Sequence, residues 1–362
     1  MRKLFVVLIA LAGASLQSAS ANTPLAGEDI VTNHEGVFNG ENVTYTATLS
    51  EAVIKNEAGE PTAVLSSTAY VRTGAADAAA RPVVFIWNGG PSAASVTLHM
   101  AGLGPKRLVI PADPETPIAP PFTYEDSPHA LLDLADLVFV DPVETGFSRL
   151  LKEDERSYFY STTGDAASVT DYIRQWLTEN GRTQSPVYVL GTSYGSIRAP
   201  LVAGMLAKTD TPAAGLVIFS QAANLIEVVQ RKHSIVGYAV NMPQIAAIAH
   251  YHGKTAYQNK TVFELIDDAY AYFMGDYLKA LAAGRALSDK EKRKVARTLE
   301  KFTGIAADYY VEHDLRITKG EFRQLLFKDQ GLVLTANDSR YALKPDAMVS
   351  NPPVQGAEAA HR

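Results

Sequence analysis

The chain has 362 residues, of which 47% are apolar and 20% charged, and its formal net charge is −6. That balance belongs to a globular protein able to bury a large core, better read as one α/β domain with an insertion than as several small domains. It argues against nucleic acid, which needs concentrated basic surface, and the absence of cysteine leaves no thiol nucleophile and no thiolate metal site.

The first residues carry a message of their own. Arg2 and Lys3 precede the apolar run "LFVVLIALAGA", and Ala19-Ser20-Ala21 puts small residues where a signal peptidase cuts. Residues 1–21 therefore read as a secretory signal peptide, with a mature start at Asn22. The apolar run is short for a membrane span, which ranks an uncleaved anchor below cleavage. Export without disulfides fits a periplasmic or secreted protein, free of the membrane once the signal is removed.

Residues 22–224 read as the α/β core. A polar leader over 22–36 is followed by "VTYTATLSEAVIKNEAGEPTAVLSSTAYVR", which alternates apolar and polar residues around the turn-forming "NEAGEP" and predicts a long antiparallel hairpin. "RPVVFIWNGG" (81–90) is a continuous apolar run ending in glycines, the pattern of a central strand, and "LADLVFVDPVETG" predicts another beyond a proline-rich loop (111–128). "DAASVTDYIRQWLTEN" (165–180) has helical spacing. A strand over 187–190, a turn at Ser193, a helix to about Lys208 and a further buried strand in "GLVIFSQAAN" (215–224) complete the series. Strand, helix, strand, helix, strand is the order of a mostly parallel sheet with crossover helices. From Leu225 to Gln330 the segments become helical, predicting a cap inserted over the sheet edge. Residues 331–362 read as a tail that returns incompletely to the core.

Gly191-Thr192-Ser193-Tyr194-Gly195, after a buried strand and before a helix, has the form of a nucleophile elbow of α/β hydrolases. So sharp a turn leaves no room for side chains at its glycines, and it strains the serine backbone so that Oγ projects free of the sheet. Pro200 should bend the helix that follows. Acyl transfer also needs two donors for the oxyanion, one from the residue after the nucleophile and one from a separate loop. Tyr194 N–H fits the first role and Gly90, in "WNGGPSAAS" (87–95), the second. Alone, "NGGP" is a plain turn; paired with the elbow it reads as an oxyanion loop.

These segments carry a resemblance. "WNGGPSAAS", "VDPVETGFS" (140–148) and "LGTSYGSIRAP" (190–200) are similar in order and spacing to the three signature blocks of the serine carboxypeptidases. "IAHYHGK" (248–254) and "FTGIAADYYVEHDLRI" (302–317) resemble the bacterial branch of that family, so the similarity runs from about residue 40 to 345. The resemblance implies an α/β-hydrolase fold with a helical cap. It also implies hydrolysis of peptides from a free C-terminus by a Ser-Asp-His triad, without metal or other cofactor. Ser193 would be the nucleophile, and Gly90 and Tyr194 would form the oxyanion hole. Asn88, with Gly89 and Thr192, would line the place of the substrate's terminal carboxylate. Asp141 corresponds to a structural aspartate.

Three departures qualify that picture. Ser92, Ala93 and Ala94 stand where the family has a glycine and serines. Thr192 and Gly102 replace the paired acids that bind the substrate carboxylate, leaving His99, Lys106 or Arg107 either as substitute cations, with a more neutral optimum, or as plain surface. After Ser193 the histidines are His233, His250, His252, His313 and His361, and none follows a recognisable strand. The triad acid and base are therefore not identified. The chain reads as a serine carboxypeptidase truncated before them, with an esterase or acyltransferase on the same fold, or a peptide-binding remnant without catalysis, as alternatives.

Overall fold

The computed structural model describes residues 25–111, 121–224 and 229–345; the expected signal peptide, much of the proline-rich loop and the end of the chain lie outside them. The strands, in chain order, are β1 (Ile30–Phe38), β2 (Glu41–Lys55), β3 (Pro61–Arg72), β4 (Val83–Trp87), β5 (Lys106–Leu108), β6 (Tyr124–Asp126), β7 (Asp136–Asp141), β8 (Arg149–Leu150), β9 (Val187–Ser193) and β10 (Ala213–Gln221). Eight of them form one mixed sheet in the order β1-β2-β3-β7-β4-β9-β10, with β8 paired to β3. The pairs β7–β4, β4–β9 and β9–β10 are parallel, and the N-terminal strands are antiparallel. This is an α/β-hydrolase fold, and burial on both faces accounts for the unbroken apolar runs of β4 and β7.

Successive side chains of a strand point to opposite faces, and the two sides of the sheet bury separate cores. Val83, Phe85 and Trp87 pack with Val169, Ile173, Trp176, Ala199 and Val202, from the helices Thr162–Glu179 and Gly195–Leu206. Val84, Ile86 and Leu190 pack the other way, with Phe38, Tyr45, Leu132 and Phe139. The helix predicted at 165–180 begins three residues earlier because Ser161 caps it, its Oγ accepting from Gly164 N–H at 2.9 Å.

Two expectations need correction. The leader over 22–36 contains most of β1, so three strands rather than two form the antiparallel part. Its side chains are nearly all exposed, which removes the apolar alternation that would have marked it. The strand read as buried at 215–224 is the sheet's edge among the described residues: Leu216, Ile218 and Phe219 are each more than 40% exposed.

The predicted helical region folds around a core of its own. Ile235–Tyr251, Val262–Tyr272 and Asp289–Thr303 bury Met242, Ile245, Leu265, Leu299 and Phe302 together, with Phe273 from the turn that follows the second. Capping boxes start the second and third of these helices, at Thr261–Glu264 and Ser288–Glu291. A short hairpin, β11 (Val333–Leu334) with β12 (Ala342–Leu343), closes against the same core through Leu334.

Candidate active site

The elbow is built as its sequence demands. β9 ends at Ser193, whose φ of +55° lies in the left-handed region. A residue with a β-carbon adopts that backbone only where its surroundings hold it there. Here the surroundings are explicit. Ser196 Oγ donates to the Ser193 carbonyl at 2.5 Å and accepts from Ala222 N–H at 2.7 Å, tying the first turn of the helix to the end of β10. A β-carbon on Gly191 would stand 2.0 Å from the Gly195 carbonyl oxygen. Trp87, fully buried, donates from Nε1 to that same oxygen at 3.1 Å. The helix continues through Pro200.

β4 is the parallel neighbour of β9, so both chains leave the sheet at the same end. The loop after Trp87 (87–95) thereby meets the elbow. A β-carbon on Gly89 would lie 2.6 Å from Tyr194 N and 2.7 Å from Ser193 Cβ, and one on Gly195 would lie 2.6 Å from the Asn88 carbonyl oxygen. Gly90 is turned at φ +109°. Asn88, Gly89, Ser193 and Tyr194 are thus brought together, with Gly90 and Thr192 adjacent in the chain. A side chain at Gly89 would run into the elbow, while one at Gly90 would run into its own loop at Ser92 and Ala93. Asn88 is 4% exposed, and its Oδ1 accepts from Leu98 N–H at 3.2 Å, which fixes the side-chain amide at the head of the loop.

Asp141 secures the far end of that loop. Its Oδ1 accepts from Ser95 N–H at 2.7 Å and Ser95 Oγ at 2.8 Å, and burial pushes its carboxyl above the ordinary value while these bonds oppose the shift. Two residues that the motif reading passed over lie beneath the elbow: Arg198, without exposed surface, and Asp165, 7% exposed. Arg198 Nε lies 2.8 and 3.0 Å from the two Asp165 oxygens. Burial raises the Asp165 carboxyl against the pull of Arg198. A charged residue on the apolar helix "GSIRAPLVAGML" was the visible signal.

The cations offered for a substrate carboxylate are engaged elsewhere. Lys106 pairs with Asp126, and Arg107 with Glu125, across β5–β6. His99 accepts or donates at 2.6 Å to the Tyr70 hydroxyl and stacks on Phe139 at 4.4 Å. Burial lowers its pKa from 6.5 to about 4, so it is neutral in the folded protein near pH 7. Between pH 6.5 and 4 the unfolded chain binds the extra proton and the folded one does not. Stability present above pH 6.5 therefore falls as pH drops through that window. His99→Gln is expected to flatten this part of the unfolding free energy plotted against pH; an unaltered slope would contradict the assignment.

No histidine hydrogen-bonds to Ser193 among the described residues. His250 Nδ1 pairs with Thr255 Oγ1 at 3.2 Å, His252 Nε2 with the Ser339 carbonyl at 2.7 Å and His313 Nδ1 with the Tyr309 carbonyl at 2.8 Å. All three serve the helical region's own packing.

Comparison with known proteins fits this geometry. The profile of the serine carboxypeptidases matches residues 68–274, a stretch that includes the 87–95 loop, Asp141 and the turn at Ser193. No curated protein matches the chain. Among solved structures, a prohormone-processing carboxypeptidase from Saccharomyces cerevisiae aligns over 85% of this chain at 13% identity and a TM-score of 0.45, and the chain spans 59% of its length. A rice cell wall degrading esterase from Xanthomonas oryzae aligns over 84% of this chain and 78% of its own, at 12% identity and a TM-score of 0.35. A peroxisomal α/β-hydrolase from Saccharomyces cerevisiae aligns over 69% of this chain and 63% of its own, at 10% identity and a TM-score of 0.30. With more than half of its 362 residues matched by the family profile, the chain belongs to the serine carboxypeptidase family.

Proposed function

We propose that the protein is an exported serine-type carboxypeptidase that opens the C-terminal bond of peptides through an acyl-enzyme on Ser193. The observation that carries this reading is the contact between the two loops: a β-carbon on Gly89 would stand 2.7 Å from Ser193 Cβ and 2.6 Å from Tyr194 N, so the Gly89-Gly90 turn lies against the serine. In the first step the Ser193 hydroxyl adds to the scissile carbonyl, and the oxygen that gains charge is met by the Tyr194 amide and an amide of the Gly89-Gly90 turn. Collapse of that adduct breaks the C–N bond and expels the terminal amino acid, whose nitrogen takes the proton given up by the Ser193 hydroxyl. Water then adds to the acyl carbon, returns a proton to Ser193 Oγ and releases the shortened peptide as its carboxylic acid. In this reading Asn88, at the head of the loop, would help to hold the substrate's terminal carboxylate.

An esterase on the same site is the second reading. Thr192 and Gly102 supply no carboxylate-binding acids, and His99, Lys106 and Arg107 are held by Tyr70, Asp126 and Glu125.

A fluorophosphonate probe tests the common element. The folded protein should be labelled, and Ser193→Ala should abolish labelling. Folded wild-type protein that stays unlabelled would overturn the hydrolase reading in favour of a peptide-binding remnant. Turnover of a free-C-terminal dipeptide against its methyl ester then separates peptidase from esterase.

A further inference from the structure

The buried pair Asp165–Arg198 touches both loops of the site without reaching the reacting atoms. Its carboxylate holds one edge of the guanidinium at 2.8 and 3.0 Å. From the other side, Arg198 Nη1 donates to the Asn88 carbonyl at 3.2 Å, while Nη2 has no partner among the described residues. The guanidinium also lies 5.3 Å from the centroid of the Tyr194 ring.

The geometry of one peptide plane gives these contacts a meaning. The Asn88 carbonyl and the Gly89 N–H belong to the same planar trans unit, so they point in opposite directions. A donor that captures the carbonyl side of that plane fixes where the amide side points, at the start of the Gly89-Gly90 turn. The contact with the Tyr194 ring restrains the residue that carries the second amide. Charge is an expensive means of filling such a space. A buried ion pair replaced by apolar groups of similar volume is often neutral or more stable, so stability alone does not account for a full guanidinium here. Lysine, a point charge, cannot make the forked, flat and stacked contacts together.

We infer that Arg198, held by Asp165, is a positioning residue that sets the direction of the main-chain amides on both sides of Ser193. The inference rests on the reading of Ser193 as a nucleophile, and it adds a second layer to that site.

Amide hydrogen exchange tests it without requiring turnover. Ala93 N–H bonds to the Gly89 carbonyl at 3.3 Å inside the loop and so reports on loop order. In Arg198→Lys, exchange across residues 88–95 is expected to quicken by about tenfold or more, while the β2–β3 amides keep their wild-type rates. The combined substitution Asp165→Leu with Arg198→Met removes both charges and leaves no unpaired ion, and it should show the same local loosening in a folded protein. Wild-type exchange across 88–95 in either folded variant would overturn the inference. Fluorophosphonate labelling of the same samples separates the two layers. Failure to label the wild type defeats the nucleophile reading whatever the exchange rates. Equal labelling and equal exchange in wild type and variants defeats the positioning role and leaves the nucleophile intact.

Discussion

Gly89→Ala should slow fluorophosphonate labelling of Ser193 by about 10²–10³, the scale of losing one oxyanion donor, while the protein still folds. The added methyl would meet Tyr194 N at 2.6 Å, Ser193 Cβ at 2.7 Å and the Thr192 carbonyl oxygen at 2.7 Å. None of these is the tip of a flexible side chain, so relief has to come from the backbone. The elbow is held by Ser196, Trp87 and the two strand neighbours of β9. The loop is held at Asn88 and at Ser95. It yields in between, where Gly89 and Gly90 lie, and the amides turn away from the serine. Overpacking of this kind costs about 1–3 kcal/mol, well within what a folded domain tolerates. Labelling kinetics and thermal unfolding, measured on the same preparation, check both halves. A variant labelled at the parent rate would show that the contact between the loops has no part in the chemistry.

The opposite result belongs to Asp136, at the other end of the same strands. Asp136→Ala is expected to cost about 3–5 kcal/mol of stability and to leave Ser193 labelling unchanged in protein that remains folded. Asp136 begins β7 and is 1% exposed. Its Oδ1 accepts from Arg81 Nε at 2.9 Å and Arg72 N–H at 3.0 Å, and its Oδ2 accepts from Arg182 Nη1 at 2.5 Å. The two guanidiniums carry the network onward. Arg81 donates to the Leu132 and Asp133 carbonyls, and Arg182 donates to the Arg81 carbonyl and to Ser185 Oγ. One carboxylate thus gathers the segments that enter β4, β7 and β9. Its removal leaves two positive charges facing each other in a space closed to water. Unfolding should move down by about 10 °C; a shift of less than about 2 °C would mean that water or rearrangement replaces the carboxylate.

What could be read from the residues alone followed how local the cause was. The elbow was legible because "VYVLGTSYGSIR" contains its own reasons: an apolar strand, two glycines where atoms crowd, and a helix after them. The long hairpin and the helix at Thr162–Glu179 were legible through alternation, a turn and 3.6-residue spacing. The exposure of Ala213–Gln221 was not, since an apolar run reads alike at the centre and the edge of a sheet, and only its neighbours differ. Gly89 and Gly90 are equivalent letters until the fold shows which one leaves no room for a side chain against the elbow. His99 looked available as a cation because Tyr70 and Phe139, which enclose it, are 29 and 40 positions away. Arg198 and Asp165 are 33 positions apart, on different helices, and only folding makes them one unit.

The rim formed by Ala213–Gln221 has a consequence beyond the site. Amides and carbonyls on its outer side are not satisfied by another strand of the described sheet, and Leu216, Ile218 and Phe219 stand beside them. An extended peptide can lengthen such a sheet by one strand, and in a concentrated sample the most abundant donor is another molecule of the same kind. Charged substitutions on this flank are therefore expected to discourage such pairing while leaving the interior undisturbed.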